Sequence, residues 1–288
     1  MKNYSQAPTG LGRRGRRLSD HDTQQRVLGA AMAMVNRTGL TVSLDHISFE
    51  DIIRDADVSR SAVYRRWPYK DLFFSDLVKE LAKAAIPTTA DNEAVTGLIR
   101  RVVDERPGWL KTPELRHSLV VELLRQAALL DFETLYRSAE WRTYIALHAT
   151  FMSLAEGELR DQVQATLAQS EVGFIARVAQ AWQQIAGLFG YRLRPELGAS
   201  FETLATLVSA TARGLILMAL SMPELVAHRA QAKPFGAAAE AEWSLPAMGM
   251  AAIASAFLEP DPTIDWDDER LATVRQALSS LAVPNGHL

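Results

Sequence analysis

Hydrophobic residues recur at spacings of three and four along most of the chain, which is the period of an amphipathic helix. The first such segment covers residues 22–37, with Gly39 just past its end. Its apolar face comprises Val27, Leu28, Ala31, Met34 and Val35. We find no convincing alternation with a period of two and no internal repeat, so the pattern predicts an all-α protein.

The same spacing predicts further helices in the second part of the chain. One covers residues 93–105, and the next begins at Thr112-Pro113-Glu114, where a capping hydroxyl precedes a proline and an acid. Three later helices have aromatic and apolar faces. These faces comprise Trp141, Tyr144, Ile145, His148 and Met152; Phe174, Ile175, Val178, Trp182 and Ile185; and Phe201, Leu204, Val208, Thr211, Leu215 and Met218. Shorter helices follow around residues 247–258 and 268–281.

Two short helices joined by a tight bend are predicted nearer the N-terminus. Ser48 is a candidate N-cap with an acid three residues on, so a helix of about two turns should run to about Asp55. We expect the bend at Asp57, because Asp is one of the few residues besides glycine that tolerate a left-handed backbone conformation. Ser59 then caps a second helix that runs through Arg66. This arrangement predicts a helix-turn-helix.

The second of these helices has one apolar and one polar face. Val63 and Trp67 are four residues apart and should pack inward. The polar groups belong to Arg60, Ser61, Tyr64 and Arg65. Hydroxyl, phenol and guanidinium groups contact phosphates and hydrogen-bond base edges in the major groove, so this face predicts DNA recognition.

A further helix is predicted to begin near Tyr69 and to end before Pro87. Its inner face comprises Phe73, Leu77 and Leu81. Lys70 stands at its start, where backbone N–H groups also point outward. We therefore expect Lys70 to meet a DNA phosphate.

The stretch from residue 58 to residue 73 resembles the end of the DNA-binding domain in the TetR family of bacterial transcriptional regulators. The residues in register with the family signature are Val58, Ser59, Val63, Tyr64, Arg66, Trp67, Lys70, Asp71 and Phe73. The chain departs from the family pattern at Asp57, Arg66 and Tyr69, where the family usually has glycine, His or Tyr, and Ser or Asn. The resemblance covers about residues 21–86, and its departures imply an operator preference of the chain's own.

This resemblance implies a three-helix helix-turn-helix DNA-binding domain in residues 21–86 and a larger helical ligand-binding and dimerisation domain in residues 87–288. It implies a homodimer on a palindromic operator of double-stranded DNA, with residues 199–220 and 246–258 as the candidate dimer helices. The expected function is that of a repressor released by a small hydrophobic effector. The candidate DNA contacts are Ser48, Ser59, Arg60, Ser61, Ala62, Tyr64, Arg65 and Lys70.

Charge is unevenly distributed along the chain. The net charge is −3, yet residues 1–86 contain 14 Lys and Arg against 10 Asp and Glu. A basic N-terminal part suits an approach to phosphates. Residues 1–20 are predicted to form a disordered basic arm, which either lies along the DNA or only adds solubility. Its arginines are Arg13, Arg14, Arg16 and Arg17.

Besides dimerisation, the larger domain is expected to bind a ligand in a pocket between its helices. The candidate lining residues are Trp109, His117, Trp141, Tyr144, His148, Met152, Phe174 and Trp182. For each of them, packing in the core is the alternative interpretation. The sequence does not identify a ligand.

An enzyme is the principal alternative from another class. Glu114 and His117 have the carboxylate-histidine spacing of helical di-iron proteins, but that site needs a second such pair, and none occurs. Other catalytic signatures are also missing. We therefore expect no enzymatic activity, no cofactor and no metal. A helical adaptor without DNA binding is disfavoured because the polar groups of the second helix remain.

We expect a cytoplasmic protein that does not enter the membrane. The sequence has no secretory signal, and its longest apolar run, residues 214–222, is too short to span a bilayer. The absence of cysteine is compatible with the cytoplasm but does not require it.

Overall fold

The computed structural model describes residues 19–38, 48–84 and 92–280. These residues are mainly helical, which confirms the all-α class. They form two compact units: one comprises the described residues up to Ala84 together with Ala146–Val163, and the other comprises the remainder. Gly39 and Pro87, the two predicted helix stops, lie outside the described residues.

The first unit begins with four helices: α1 (Asp20–Thr38), α2 (Phe49–Asp55), α3 (Arg60–Arg66) and α4 (Lys70–Ala84). Helix α1 begins two residues earlier than the apolar pattern predicts, because Ser19 and Asp22 cap it reciprocally. The Ser19 hydroxyl accepts from the backbone N–H of Asp22 at 3.0 Å, and the Asp22 carboxylate accepts from that of Ser19 at 3.3 Å.

The predicted turn between α2 and α3 is confirmed in its details. The Ser48 hydroxyl accepts from the backbone N–H of Asp51 at 3.2 Å, and the Ser59 hydroxyl accepts from that of Ala62 at 3.3 Å. Asp57 has a φ of 51°, in the left-handed region. The two caps and this backbone conformation fix where α2 ends and α3 begins.

Helix α3 is held in place by its buried side chains. Val63 and Trp67 are both fully buried, as the sequence predicts. The Trp67 indole N–H donates to the Asp76 carboxylate of α4 at 2.9 Å, and the Trp67 ring packs edge-on against Phe73 at a centroid distance of 5.4 Å. Phe73 also contacts Phe49 of α2 at 4.6 Å, so a single aromatic cluster joins α2, α3 and α4.

The second unit is built mainly from helices. They are α5 (Asn92–Glu105), α6 (Pro113–Arg137), α9 (Phe201–Ser221), α10 (Glu224–Ala227), α11 (Leu245–Phe257) and α12 (Asp268–Ser280). Helices α7 (Ala139–Ser153) and α8 (Glu158–Leu188) contribute residues to both units. Thr112 caps α6 as predicted, accepting from the backbone N–H of Leu115 at 3.3 Å. Leu119, Phe189, Leu204 and Val274 are buried members of one extended apolar cluster.

The described residues include four short strands that were not predicted. Strand β1 (Tyr191–Leu193) pairs antiparallel with β4 (Leu258–Pro260), and β2 (Ala230–Ala232) pairs antiparallel with β3 (Ala241–Trp243). A 3-10 turn, Pro195–Leu197, follows β1. Each strand has three residues, which is too short to produce a recognisable alternation of polar and apolar positions.

The predicted inner face of α7 is wrong at its C-terminal end. Trp141 and Tyr144 are buried, but Met152 is 75% exposed, and Leu147 and Thr150 are buried instead. The helix passes from one compact unit into the other at Ala146. Because the two halves of α7 have different neighbours, its buried residues do not follow a single line along the helix.

Helix α9 bears on the expectation that no segment is long enough to span a membrane. Its length of 21 residues and a mean hydropathy of 1.6 would allow it to cross a membrane by composition alone. The longest apolar run begins only after Arg213, whereas the helix begins at Phe201, so counting uninterrupted residues underestimated this helix. The core helix of a soluble helical protein has the same properties, so α9 is weak support for membrane insertion.

The anchoring of α3 by Trp67 predicts a stability effect. Trp67→Phe keeps an aromatic ring but removes the donor to Asp76, and we expect the free energy of unfolding to fall by about 1–3 kcal/mol. Chemical denaturation followed by circular dichroism measures the change. Tyr69→Phe is the control, because Tyr69 is 73% exposed. If both variants were as stable as the original chain, the anchoring role would be wrong.

Candidate nucleic-acid interface

The eight candidate DNA contacts all lie in the first unit, at or near α3. Ala62 is half-buried, and the others are exposed: Ser48, Ser59, Arg60, Ser61, Tyr64, Arg65 and Lys70. The caps described above orient the first of these groups. The Ser59 hydroxyl lies 3.3 Å from the Ser61 hydroxyl, so both belong to one polar cluster at the start of α3.

One acid, Glu50 of α2, joins two of the candidate DNA contacts. Its carboxylate lies 2.6 Å from the Arg60 guanidinium and accepts a hydrogen bond from the Tyr64 hydroxyl at 3.1 Å. That hydrogen bond raises the pKa of Tyr64 above its ordinary value. The sequence interpretation did not include Glu50, because its role depends on a contact with a different helix.

Arg65 is paired in a similar way with Asp20 at the start of α1, at 2.5 Å. Half of the Arg65 side chain and 70% of the Asp20 side chain remain exposed. Exposed ion pairs contribute at most about 1 kcal/mol, because water and salt screen them. The guanidinium groups of Arg60 and Arg65 can therefore exchange these carboxylates for phosphates or base edges at low cost.

Arg66 and Lys70 have different surroundings. Arg66 contacts the Asp76 carboxylate at 3.2 Å and lies over the Trp67 ring, with its guanidinium carbon 5.3 Å from the centroid. It therefore helps to hold α3 against α4. Lys70 is the first residue of α4, and its ammonium group lies 4.9 Å from the centre of the Phe74 ring. Its exposed position leaves the ammonium group accessible to a phosphate.

Four further candidate contacts belong to the predicted basic arm. Arg13, Arg14, Arg16 and Arg17 lie outside the described residues. Their contribution to DNA binding therefore stays a prediction.

Six of the eight candidate pocket residues lie in the second unit, and three of these meet at one arginine. Trp141, Tyr144 and Phe174 surround the Arg213 guanidinium of α9, with ring centres 5.1–5.7 Å from its central carbon. Arg213 donates to both Glu171 oxygens at 2.9 Å. The sequence interpretation missed this ion pair, although a single arginine within an apolar helix was its signal.

His117 takes part in a structural contact. One ring nitrogen lies 2.7 Å from the Tyr191 hydroxyl, and the other lies 2.8 Å from the Phe235 carbonyl oxygen. Burial raises the pKa of Tyr191 to about 12, so this hydroxyl stays neutral. Because both ring nitrogens already have partners, His117 and Glu114 do not form the metal-binding pair considered above. Within residues 19–38, 48–84 and 92–280, no group of three His, Cys, Asp or Glu residues could hold a metal ion.

Comparisons with known proteins show distant likenesses. SmeT, the repressor of the Stenotrophomonas maltophilia multidrug efflux pump SmeDEF, is 18% identical, with 83% of this chain and 93% of that chain covered and a TM-score of 0.37. A SmeT–triclosan complex is 17% identical, with coverages of 84% and 99% and a TM-score of 0.40. TylP, a TetR regulator from Streptomyces fradiae, is 14% identical, with coverages of 91% and 91% and a TM-score of 0.35.

No family model and no curated protein matches the chain. Identities and TM-scores as low as those above do not carry a functional argument. The functional argument therefore rests on the residues and contacts of α2, α3 and α4.

Proposed function

We propose that the chain is a TetR-like transcriptional regulator that binds a palindromic operator as a homodimer, acts as a repressor and is released by a small-molecule effector. The observation that carries this proposal is the surface of α3. Val63 and Trp67 anchor the helix, while Arg60, Tyr64 and Arg65 remain exposed on it. A short, rigidly held helix with these groups is suited to the major groove.

The exposed groups would divide the work of recognition. The guanidinium groups of Arg60 and Arg65 can form paired hydrogen bonds with the edge of a guanine. Ser48, Ser59 and Lys70 would contact phosphates, which fix the position of the protein without reading sequence. The DNA-binding domain would occupy residues 21–86, and residues 87–288 would form the ligand-binding and dimerisation domain.

Dimerisation is supported by an apolar surface on α9. Leu207, Leu217, Met218 and Leu220 are between 41% and 57% exposed. Large apolar side chains that stay exposed on a helix favour association with another protein surface. Two copies joined in this way would present two α3 helices, and a spacing of about 34–36 Å would match successive major grooves.

Repression and effector release complete the proposal. A regulator that occupies a promoter blocks transcription, and an effector reverses this only if it binds better to the arrangement that does not fit the DNA. The resemblance in residues 58–73 supports both steps, and a regulator of this kind would act in the cytoplasm, where its DNA is.

Salt-dependent DNA binding tests the proposal directly. We expect the full chain to bind a labelled duplex of roughly 30 base pairs, with affinity falling steeply as salt rises, because each phosphate contact releases a counterion. Lys70→Ala should reduce the slope of log K against log salt by about one. Lys83→Ala, at the other end of α4, is the control and should leave it unchanged. Fluorescence anisotropy measures both quantities, and an absence of binding at low salt would refute the proposal.

Glu50 provides a second prediction. Its carboxylate lies among the candidate DNA contacts, where it pairs with Arg60 and would repel phosphates. Glu50→Gln should therefore raise affinity for duplex DNA by roughly 3–10-fold at low salt. Glu80→Gln on α4 removes the same charge away from α3 and serves as the control. Equal affinities of the two variants would show that Glu50 does not face the DNA.

The dimer surface provides a third prediction. Leu217 is 57% exposed on α9, and Leu217→Glu should place a charge within the proposed interface and convert dimers into monomers. Met152→Glu introduces the same charge at a residue that is 75% exposed on α7 and should leave the dimer intact. Light scattering after size-exclusion chromatography gives the mass. A dimer that persists in Leu217→Glu would move the interface elsewhere.

A further inference from the structure

We propose that a cleft in the second unit binds a small aromatic carboxylate. The cleft has a volume of about 270 Å³ and lies between α6, the loop after α5 and the segment that leads into β3. Its polar wall comprises Arg106, Ser118, Glu122 and Arg125, and its apolar walls comprise Trp109, Trp243 and the alanines of residues 237–241. Most of these residues were not among the pocket candidates that the sequence suggested.

The polar wall has hydrogen-bond donors to offer but little acceptor capacity. Glu122 accepts from the Arg125 Nε at 2.8 Å and Nη2 at 2.8 Å, from Gln126 at 2.7 Å and from Arg106 at 3.5 Å. Three of these bonds end on Oε1 and one ends on Oε2, so most of the acceptor capacity of this carboxylate is already used. Burial alone would raise the pKa of Glu122, but the hydrogen bonds from Arg125 and Gln126 and the charges of Arg125 and Arg106 lower it, so it stays ionised.

The two guanidinium groups retain unused donors. Arg125 also donates to the Glu242 carbonyl oxygen at 2.9 Å, and Arg106 also pairs with Glu105 at 2.9 Å. Each guanidinium has five N–H groups, so their contacts with described residues leave donors on both. Glu240 is exposed at the rim, where solvent screens its charge. A ligand that brings an anionic oxygen therefore complements this wall better than a cation does.

The apolar walls favour a flat ring. Trp109 is half-buried, and the Arg106 guanidinium carbon lies 5.1 Å from its ring centre. The other apolar lining residues include alanines at positions 237, 238, 239 and 241, whose small methyl groups leave room for a planar molecule. An aromatic ring could stack on Trp109 while its carboxylate meets Arg106 or Arg125.

The role of the cleft as the effector site rests on the DNA-binding function proposed above. Binding of a ligand in the cleft does not depend on that function and can be tested separately. The probe is 1-naphthoate, titrated calorimetrically into the full chain without DNA, with neutral 1-naphthylmethanol as the uncharged comparison. We expect 1-naphthoate to bind and 1-naphthylmethanol to bind at least roughly tenfold more weakly, because it cannot form a charge-assisted hydrogen bond.

Two variants of cleft residues and one control variant test whether 1-naphthoate binds in the cleft. Arg106→Gln should weaken 1-naphthoate by roughly tenfold, because it removes a charged donor but keeps an amide for Glu122. Ala238→Trp, on an exposed segment, should block the cleft. The control, Arg101→Gln, changes the net charge by the same amount as Arg106→Gln, but Arg101 is exposed on α5. It should not change the affinity for 1-naphthoate. Circular dichroism establishes that each variant is folded. Equal affinity in all three variants, or equal affinity for the neutral compound, would overturn the site.

A separate measurement tests the regulatory role. Adding 1-naphthoate to a complex of the protein with labelled duplex should release the original chain but not the Arg106→Gln variant. If 1-naphthoate binds the cleft and DNA stays bound, the site stands and its role as the effector site is overturned. If the protein does not bind duplex at all, the DNA-binding proposal fails while the calorimetric result still decides the site.

Discussion

The packing of one short helix is the constraint on which the proposed DNA surface depends. Helix α3 has seven residues, and a helix of this length is not stable by itself in water. Its conformation therefore comes from the burial of Val63 and Trp67, from the hydrogen bond between Trp67 and Asp76, and from the cap at Ser59. Because these inward contacts use one face of the helix, the opposite face is left free to carry polar groups.

The same surface contains acids that partly neutralise its basic groups. Glu50 pairs with Arg60 and Tyr64, and Asp20 pairs with Arg65. In the free protein these pairs hold long side chains in defined positions, and they are exposed enough to be exchanged for phosphates. Affinity for DNA would then reflect a competition between carboxylates and phosphates for the same guanidinium groups. Such a competition makes binding weaker but more dependent on a well-matched site.

Local signals in the sequence predicted much of the fold. The caps at Ser48, Ser59 and Thr112 and the left-handed residue Asp57 depend on neighbours within four positions, so the sequence alone specifies them. Long-range contacts could not be predicted in this way. Asp20 is 45 residues from Arg65, and the partners in the Arg213 ion pair are 42 residues apart. The three-residue strands and the changed inner face of α7 also depend on tertiary neighbours, which the spacing of apolar residues does not reveal.

The most direct test of the account is selection of DNA sequences from a pool of random duplexes with the purified full chain. The account predicts enrichment of one palindromic sequence whose half-sites are centred about 10–10.5 base pairs apart or a multiple of that distance. It also predicts that Arg65→Ala relaxes the preference at a defined base in each half-site, because a contact with a base edge carries sequence information and a phosphate contact does not. A pool that remains random after repeated selection would contradict the central claim that α3 reads DNA.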